Sequence, residues 1–218
     1  MKNLIALQIF ALFALAASCD TDDAINGSGN LTTESRDVEA FTKVSSEGVF
    51  EVAINQGPAQ LVEITADDNV IGRVRTRVVN DELQLYLDDD YSYSGITLSA
   101  QISAKSLSGL YNSGAGNMEV TKVDQPGAFT IGNFGSGNIS IQGTALSLNI
   151  KNEGSGNIRA FDFPVENCSV DIEGSGNAEV HCSDDLDVSI EGSGNVFYKG
   201  NPSINTSISG SGKVIDAN

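Results

Sequence analysis

Gly154-Ser155-Gly156-Asn157 is one of six copies of a four-residue phrase that recurs through the second half of the chain. Consecutive copies begin 18 to 21 residues apart, so the phrase marks a repeat of about 20 residues. A period in this range is typical of solenoids, in which each coil buries a face against its neighbours. The six copies are Gly114-Ala115-Gly116-Asn117, Gly135-Ser136-Gly137-Asn138, Gly154-Ser155-Gly156-Asn157, Gly174-Ser175-Gly176-Asn177, Gly192-Ser193-Gly194-Asn195 and Gly210-Ser211-Gly212-Lys213.

Apolar residues alternate with polar ones on both sides of the phrase. Leu148 and Ile150 stand two residues apart before the Gly154 copy, and Ile158 and Ala160 stand two residues apart after it. Alternation with a period of two indicates a β-strand with one buried face. Each period therefore predicts a strand, a corner formed by the phrase, a second strand and a looser turn.

Coils that return to the same corner predict an all-β fold, a β-solenoid. We expect a right-handed parallel β-helix with coils of about 20 residues, because crossovers between parallel strands are right-handed. Gly and Asn tolerate positive φ, so the corners are expected to bend through left-handed backbone conformations. The last residues of the phrase should stack as a ladder of side-chain amides, made by Asn117, Asn138, Asn157, Asn177 and Asn195.

The repeats occupy only part of the predicted domain. Residues 36–110 contain short β-type runs separated by turn residues but lack the regular phrase. We assign them to the first coils and the N-terminal cap of a single domain, 36–218, whose regular repeats occupy 111–218. Residues 19–35 are polar and acidic and are predicted to be a tether.

The N-terminus has the features of an export signal. Lys2 precedes a mostly apolar run, Leu4 to Ala17, that is too short for a comfortable membrane span. Leu15-Ala16-Ala17-Ser18-Cys19 resembles the bacterial lipobox, so residues 1–18 are predicted to be a signal peptide and Cys19 to carry lipid. The acidic residues that follow are similar to the surface-export signal of Bacteroidetes lipoproteins. We therefore expect an outer-membrane lipoprotein of the cell envelope, facing either the cell surface or the periplasm, with no transmembrane segment in its mature form.

The net charge of the chain limits the classes of partner that it can bind. Acidic residues number 29 against 12 basic ones, which gives a net charge of -17. Such an acidic surface argues against nucleic acid and anionic lipid headgroups as partners. It suits cations, basic proteins or neutral glycans, and it also keeps an exported protein soluble.

Two cysteines remain besides Cys19. Cys168 falls on the inward register before one corner, and Cys182 follows the next corner at a strand end. Leu186, four residues beyond Cys182, should stack over Cys168 one coil later. This proximity and an oxidising envelope would permit a disulfide, while two small buried hydrophobic side chains are the alternative.

Four acidic residues are expected on the outward side of neighbouring coils. Stacked carboxylates about 5 Å apart repel by roughly 1 kcal/mol per pair even in water. One interpretation of this column is a face that binds a ligand or a cation, and calcium is the one cofactor considered. The alternative is a solvated acidic surface with no binding role. The four residues are Glu153, Asp171, Glu173 and Glu191.

Carboxylates on a β-helix face are also similar to those of calcium-dependent pectate lyases, which need a basic residue near the calcium as proton acceptor. Lys151 and Arg159 are the nearest choices. The only histidine, His181, has no nucleophile or orienting group in its neighbouring sequence. The sequence therefore predicts no catalytic residues and a protein that is not an enzyme.

The chain resembles the DUF2807 family, also called the putative auto-transporter adhesin, head GIN domain. The resemblance is carried by the repeated phrase, by Arg36-Asp-Val-Glu-Ala-Phe-Thr-Lys-Val44 and by Val49-Phe-Glu-Val-Ala-Ile-Asn-Gln-Gly57. It implies a β-helical secreted or lipoprotein domain, found largely in Bacteroidetes, and it brings no catalytic residues with it.

Three functions follow from these observations. The first is a non-catalytic, adhesin-like binding module that presents its β-helix faces to a glycan polymer or an extracellular protein. The second is a polysaccharide-active enzyme, similar to a pectate lyase, that uses the acidic face. The third is a structural scaffold of the envelope.

Overall fold

Parallel strands stacked in register make up most of the described chain. The computed structural model describes residues 24–218, which form a β-solenoid of about five turns with coils of about 20 residues. This confirms the all-β solenoid that the repeat predicts. In chain order the elements are β1 (Ile25–Asn26), β2 (Leu31–Ser35), β3 (Lys43–Ser46), β4 (Glu51–Gln56), β5 (Leu61–Asp67), a 3₁₀ helix (Ile71–Arg73), β6 (Val74–Val79), β7 (Glu82–Leu87), β8 (Tyr93–Ser94), β9 (Leu98–Ala104), β10 (Gly109–Asn112), β11 (Met118–Asn133), β12 (Ile139–Asn152), β13 (Ile158–Ile172), β14 (Ala178–Ile190), β15 (Val196–Lys199), β16 (Ser203–Ile208) and β17 (Val214–Asp216).

The regular coils stack in the register that the phrase predicts. Strands β10 to β14 pair in parallel, each with the next. Leu148 of β12 aligns with Cys168 of β13, which aligns with Leu186 of β14, and all three are buried. Phe129 and Phe163 pack edge to face inside the coils, with ring centroids 5.4 Å apart. Burial of these inward columns stabilises the stack.

The predicted asparagine ladder is present. The Nδ2 amide of Asn138 donates to Oδ1 of Asn117 at 3.0 Å, and the same bond repeats in the three following copies at 3.1–3.2 Å. The backbone N–H of each later asparagine also donates to that Oδ1. Every amide in the ladder therefore links its coil to the preceding coil.

A second set of asparagines lies inside the corners. Asn133 and Asn152 are fully buried, and their Nδ2 groups donate to the carbonyl oxygens of Gly137 and Gly156 at 3.1 and 3.0 Å. The alternation of the sequence places these residues on the inward, apolar register. The amides stay there because they satisfy backbone carbonyls at the bend, which burial would otherwise leave unpaired.

The corner glycines are needed for space and not for positive φ. None of the glycines in the six copies, all within residues 24–218, has φ in the left-handed region, so that expectation is wrong. A Cβ added to Gly154 would run into the carbonyl oxygen of Gly135, and one added to Gly174 would run into that of Gly154. Successive corners stack backbone on backbone, and only glycine leaves room for this approach.

Antiparallel strands close the N-terminal end, in the segment that the sequence assigned to the first coils and the cap. Strand β2 pairs antiparallel with β5, β5 pairs antiparallel with β9, and β6 forms a hairpin with β7. Since β2 spans Leu31–Ser35, the folded domain begins before residue 36 and the predicted tether is too long. These strands cover the end of the stack, which would otherwise present an unpaired edge.

The buried carboxylate of Asp67 connects the strands at this end through hydrogen bonds. Its Oδ1 accepts the N–H of Gly29 and its Oδ2 accepts the N–H of Thr97, both at 2.7 Å. These backbone hydrogen bonds, first that from Thr97, lower the pKa of Asp67. Gly29 precedes β2 and Thr97 precedes β9, so one side chain joins two strands that are distant in sequence.

The predicted signal peptide and Cys19 lie outside the described residues. Within residues 24–218, no helix has the length and apolar character needed to cross a bilayer. The lipid anchor stays a prediction from the sequence.

Candidate functional site

One side of the solenoid carries a continuous outward surface, which we call the long face. It is formed by β7, β3, β10, the second halves of β11 to β14, and β16. Eight strands spaced about 4.8 Å apart make it about 34 Å long. Its central column contains, in spatial order, Gln84, Ser45, Tyr111, Gly132, Lys151, Asp171, Ser189 and Ser207.

Three of the four predicted acidic residues lie on the long face at the corners, and the fourth, Asp171, lies in its central column. The backbone N–H groups of Glu153, Glu173 and Glu191 each donate to the coil before them, so the three residues occupy equivalent positions. Lys151 Nζ lies 2.5 Å from Glu153 Oε1 and 3.2 Å from Glu173 Oε1. The hydrogen bonds to these glutamates, first that to Glu153, raise the pKa of Lys151. The positive charge of Lys151 therefore lies between two of the stacked carboxylates and offsets the repulsion that the sequence predicted between them.

This bridge changes the interpretation of the cation face. The Lys151 ammonium contacts both Glu153 and Glu173, so a cation bound to the column would compete with it for these two carboxylates. Asp171 lies beside Lys151 in register on the next strand. In the chain from residue 24 onward, no group of three or more His, Cys, Asp or Glu side chains is placed to hold a metal ion.

The corner at Gly154 separates the two basic residues that were considered as proton acceptor. Lys151 lies before the corner at Gly154 and is engaged with two glutamates, while Arg159 lies after that corner, in register between Ser140 and Glu179. His181 Nδ1 is 3.3 Å from the carbonyl oxygen of Phe161. Lys151 and Arg159 therefore do not converge on one site, which does not favour the lyase alternative.

Cys168 and Cys182 are free thiols, so the disulfide that the sequence permitted does not form in this structure. Both side chains are buried, and burial raises the pKa of each thiol. The Cys182 Sγ lies 3.1 and 3.0 Å from the carbonyl oxygens of Glu166 and Asp185, and its single S–H is donated to one of these two acceptors. The cysteines behave as small buried side chains with little thiolate character.

A shallow groove of about 440 Å³ lies at the C-terminal end of the long face. Small polar residues line it, including Asn149, Ser169, Asp187 and Asn205, which stand in register on four successive strands. Asn205 Nδ2 donates to Asp187 Oδ1 at 3.1 Å. The groove therefore presents hydrogen-bonding groups at the spacing of the strands.

A cleft of about 540 Å³ lies at the N-terminal end of the same face. We call it the aromatic cleft, because Tyr86, Tyr111 and Phe134 line it together with polar side chains. The sequence contains a partial signal for it, since Tyr111 and Gly132 both stand three residues before a copy of the phrase. Phe134 stands one residue before a copy, at the position that glutamate takes in later coils. Sequence reasoning did not use this alignment and missed the cleft.

The family model of the putative auto-transporter adhesin, head GIN domain, matches residues 40–202. The chain belongs to the DUF2807 family. This match confirms the resemblance that the phrase and the opening strands carry. None of the curated proteins compared with the chain matches it.

Solved structures share the solenoid of this DUF2807 protein. A putative adhesin from Bacteroides fragilis is 21% identical with a TM-score of 0.67, and the match covers 89% of this chain and all of that one. A putative lipid binding protein from Parabacteroides distasonis is 23% identical with a TM-score of 0.53, with the same coverage. A putative adhesin from the same species is 24% identical with a TM-score of 0.51, again over 89% of this chain and all of that one. At these identities the likeness shows the fold, while the family description indicates an adhesin-like role at the cell surface or envelope.

Proposed function

We propose that this DUF2807 protein is a lipid-anchored, non-catalytic module of the outer membrane that binds an extracellular polymer or protein. Cys19 is the residue that would carry the anchor, and the long face is the surface that would bind. The family description as an adhesin domain supports the binding role.

The continuity of the long face is the observation that carries the proposal. Its outward side chains stand in register over eight strands, and both the polar groove and the aromatic cleft open onto it. A rigid surface about 34 Å long offers an extended ligand many repeated contacts. The net charge of -17 favours basic or neutral ligands over anionic ones.

A binding screen with a matched pair of variants tests the proposal. The full chain, purified in non-ionic detergent, is applied to arrayed polysaccharides and to immobilised collagen, fibronectin and mucin. Asn149→Arg places a bulky charge on the long face, whereas Thr144→Arg makes a similar change at an exposed position on the same strand, away from that face.

We expect at least one ligand to bind the wild type. Asn149→Arg should bind it about tenfold more weakly, and Thr144→Arg should bind it with the affinity of the wild type. An equal loss of affinity in both variants would show that the long face is not the binding surface. The absence of any ligand on the arrays would contradict the proposed function.

A further inference from the structure

We infer that the aromatic cleft binds a neutral pyranose oligosaccharide. This inference rests on the proposed binding function and deepens it by naming the ligand class and its site. It depends on three features of the cleft, which are an aromatic platform, an ordered polar wall and the sign of the surrounding charge.

The platform forms because Gly132 has no side chain. A Cβ built on Gly132 would lie 2.9 Å from Tyr111 Cδ1 and 2.9 Å from Phe134 Cε2, so both rings occupy the space over this bare stretch of backbone. Tyr111 aligns with Gly132 across neighbouring strands, and Phe134 follows two residues later. The Phe134 side chain remains 43% exposed although it is large and apolar. The two rings thus provide an apolar surface that stays open to solvent.

The polar wall is held in place by its own hydrogen bonds. Arg77 Nε donates to Gln84 Oε1 at 2.7 Å, and Gln84 Nε2 donates to Glu82 Oε1 at 3.2 Å. The Arg77 guanidinium also lies over the Tyr86 ring, 5.1 Å from its centroid. Side chains fixed in this way lose little conformational freedom when a ligand binds, which favours affinity.

A pyranose ring matches this combination of surfaces. One side of many pyranose rings presents C–H groups, which pack on aromatic faces, and the rim presents hydroxyl groups that both donate and accept hydrogen bonds. The carboxylates and the amide of the wall accept from such hydroxyls, and Arg77 donates to them. The volume of about 540 Å³ lies in the range of small-molecule sites.

The charge of the lining selects neutral sugars. Glu47, Glu82 and Asp89 line the cleft with Arg77 as the one basic residue among its lining side chains. Excess negative charge repels uronates and sulfated sugars at contact distance. A neutral glycan chain avoids this repulsion and can continue from the cleft along the long face.

Affinity gel electrophoresis of the full chain in non-ionic detergent tests the inference, with dextran, mannan and xylan as neutral probes and polygalacturonate as the anionic probe. Phe134→Leu keeps an apolar side chain but removes the flat ring. Gly132→Ala keeps both aromatic residues but puts a methyl group where their rings lie. Tyr91→Ala is the control, because Tyr91 is an exposed aromatic residue that does not line the cleft.

We expect at least one neutral polysaccharide to retard the wild type and polygalacturonate not to do so. Phe134→Leu and Gly132→Ala should each bind that polysaccharide about tenfold more weakly, while Tyr91→Ala and Phe134→Trp should bind it as the wild type does.

Unchanged retardation of Phe134→Leu and Gly132→Ala would overturn the inference and leave the proposed function standing. Binding of the polyanion alone, or of a protein ligand without any neutral polysaccharide, would overturn it in the same way. Failure on every polysaccharide and every immobilised protein would remove the proposed function as well.

Discussion

The carboxylate of Glu51 accepts hydrogen bonds from the side-chain amide of Asn117, with both Nδ2–Oε distances at 3.1 Å. Asn117 is the first residue of the asparagine ladder, and no ladder asparagine precedes it in the described chain. Glu51, on β4, therefore supplies the acceptor that the preceding coil lacks. A residue outside the repeats completes a network made by the repeats.

The ladder should be more sensitive in its middle than at its end. Asn157→Ala removes three hydrogen bonds, one to Asn138 and two from Asn177, and should lower the free energy of unfolding by about 2–4 kcal/mol. Glu51→Ala affects only the exposed end and should cost less than about 1 kcal/mol. Urea unfolding of both variants measures the difference. Equal losses would show that the ladder does not act as a cooperative network.

Gly174→Ala should lower the free energy of unfolding by more than about 1 kcal/mol, because its methyl group would meet the stacked backbone of Gly154. Gly72→Ala is the matched control, since a Cβ added there would face open space and the change should stay within about 0.5 kcal/mol. Gly174→Asn separates the two explanations of the corner. It should destabilise at least as much as Ala if space is limiting, whereas a requirement for positive φ would make Asn the milder change.

Asp67 should make stability depend on acid pH. Because its pKa is lower in the folded chain than in the unfolded one, its contribution is present above the ordinary carboxyl pKa of about 4 and is lost as pH falls through the lowered value. Asp67→Asn should therefore lower the melting temperature at pH 7, and the difference from wild type should shrink at pH 3. Asp162→Asn, at an exposed position, is the control. A difference that does not change between pH 7 and pH 3 would contradict this role.

Lys151 should affect stability at the opposite end of the pH scale. Its pKa is raised in the folded chain, so its contribution is present below the ordinary lysine pKa of about 10.4 and is lost as pH rises through the folded value. Lys151→Met should lower the melting temperature equally at pH 7 and pH 9, with a smaller difference at the highest pH at which the chain still melts cooperatively. Lys105→Met, at an exposed position, is the control. An effect no larger than that of the control would mean that the bridge is too well solvated to stabilise the fold.

Cys19→Ala should release the protein from the membrane fraction. The segment from Leu15 to Cys19 resembles a lipobox, and such a motif specifies acylation of its cysteine as the membrane anchor. Fractionation and the intact mass of the mature chain provide the measurement. Cys182→Ala should remain in the membrane fraction and serves as the control. Unchanged fractionation of Cys19→Ala would rule out the anchor.

The repeat made the regular coils predictable. Aligning the copies of the phrase places Leu148, Cys168 and Leu186 in one inward column and the asparagines in one ladder, and the structure has both. Parallel coils of nearly constant length keep residues at equal distances from the corner in register. One repeated phrase therefore determines the positions of many side chains.

Other features were not predictable from the same signal. A glycine at a bend is compatible with positive φ or with close backbone contact, and only the stacking of Gly154 on Gly135 distinguishes the two. The aromatic cleft joins Tyr111, whose column the phrase defines, to Arg77 and Tyr86, which lie on an antiparallel hairpin without the phrase. Pairing between segments that share no repeat depends on tertiary packing, which sequence periodicity does not report.

The asparagine ladder is electrically polar. All its side-chain amides point their N–H groups toward the N-terminal end of the solenoid, so their dipoles add along the axis as peptide dipoles do in an α-helix. The positive end of this array meets the carboxylate of Glu51. Its negative end, Oδ1 of Asn195, accepts the backbone N–H of Lys213, the cationic residue that replaces asparagine in the last copy. Such an array attracts negative charge at its donor end and positive charge at its acceptor end, where the sequence has an acidic and a basic residue. The ladder therefore gives the solenoid a directional electrostatic axis.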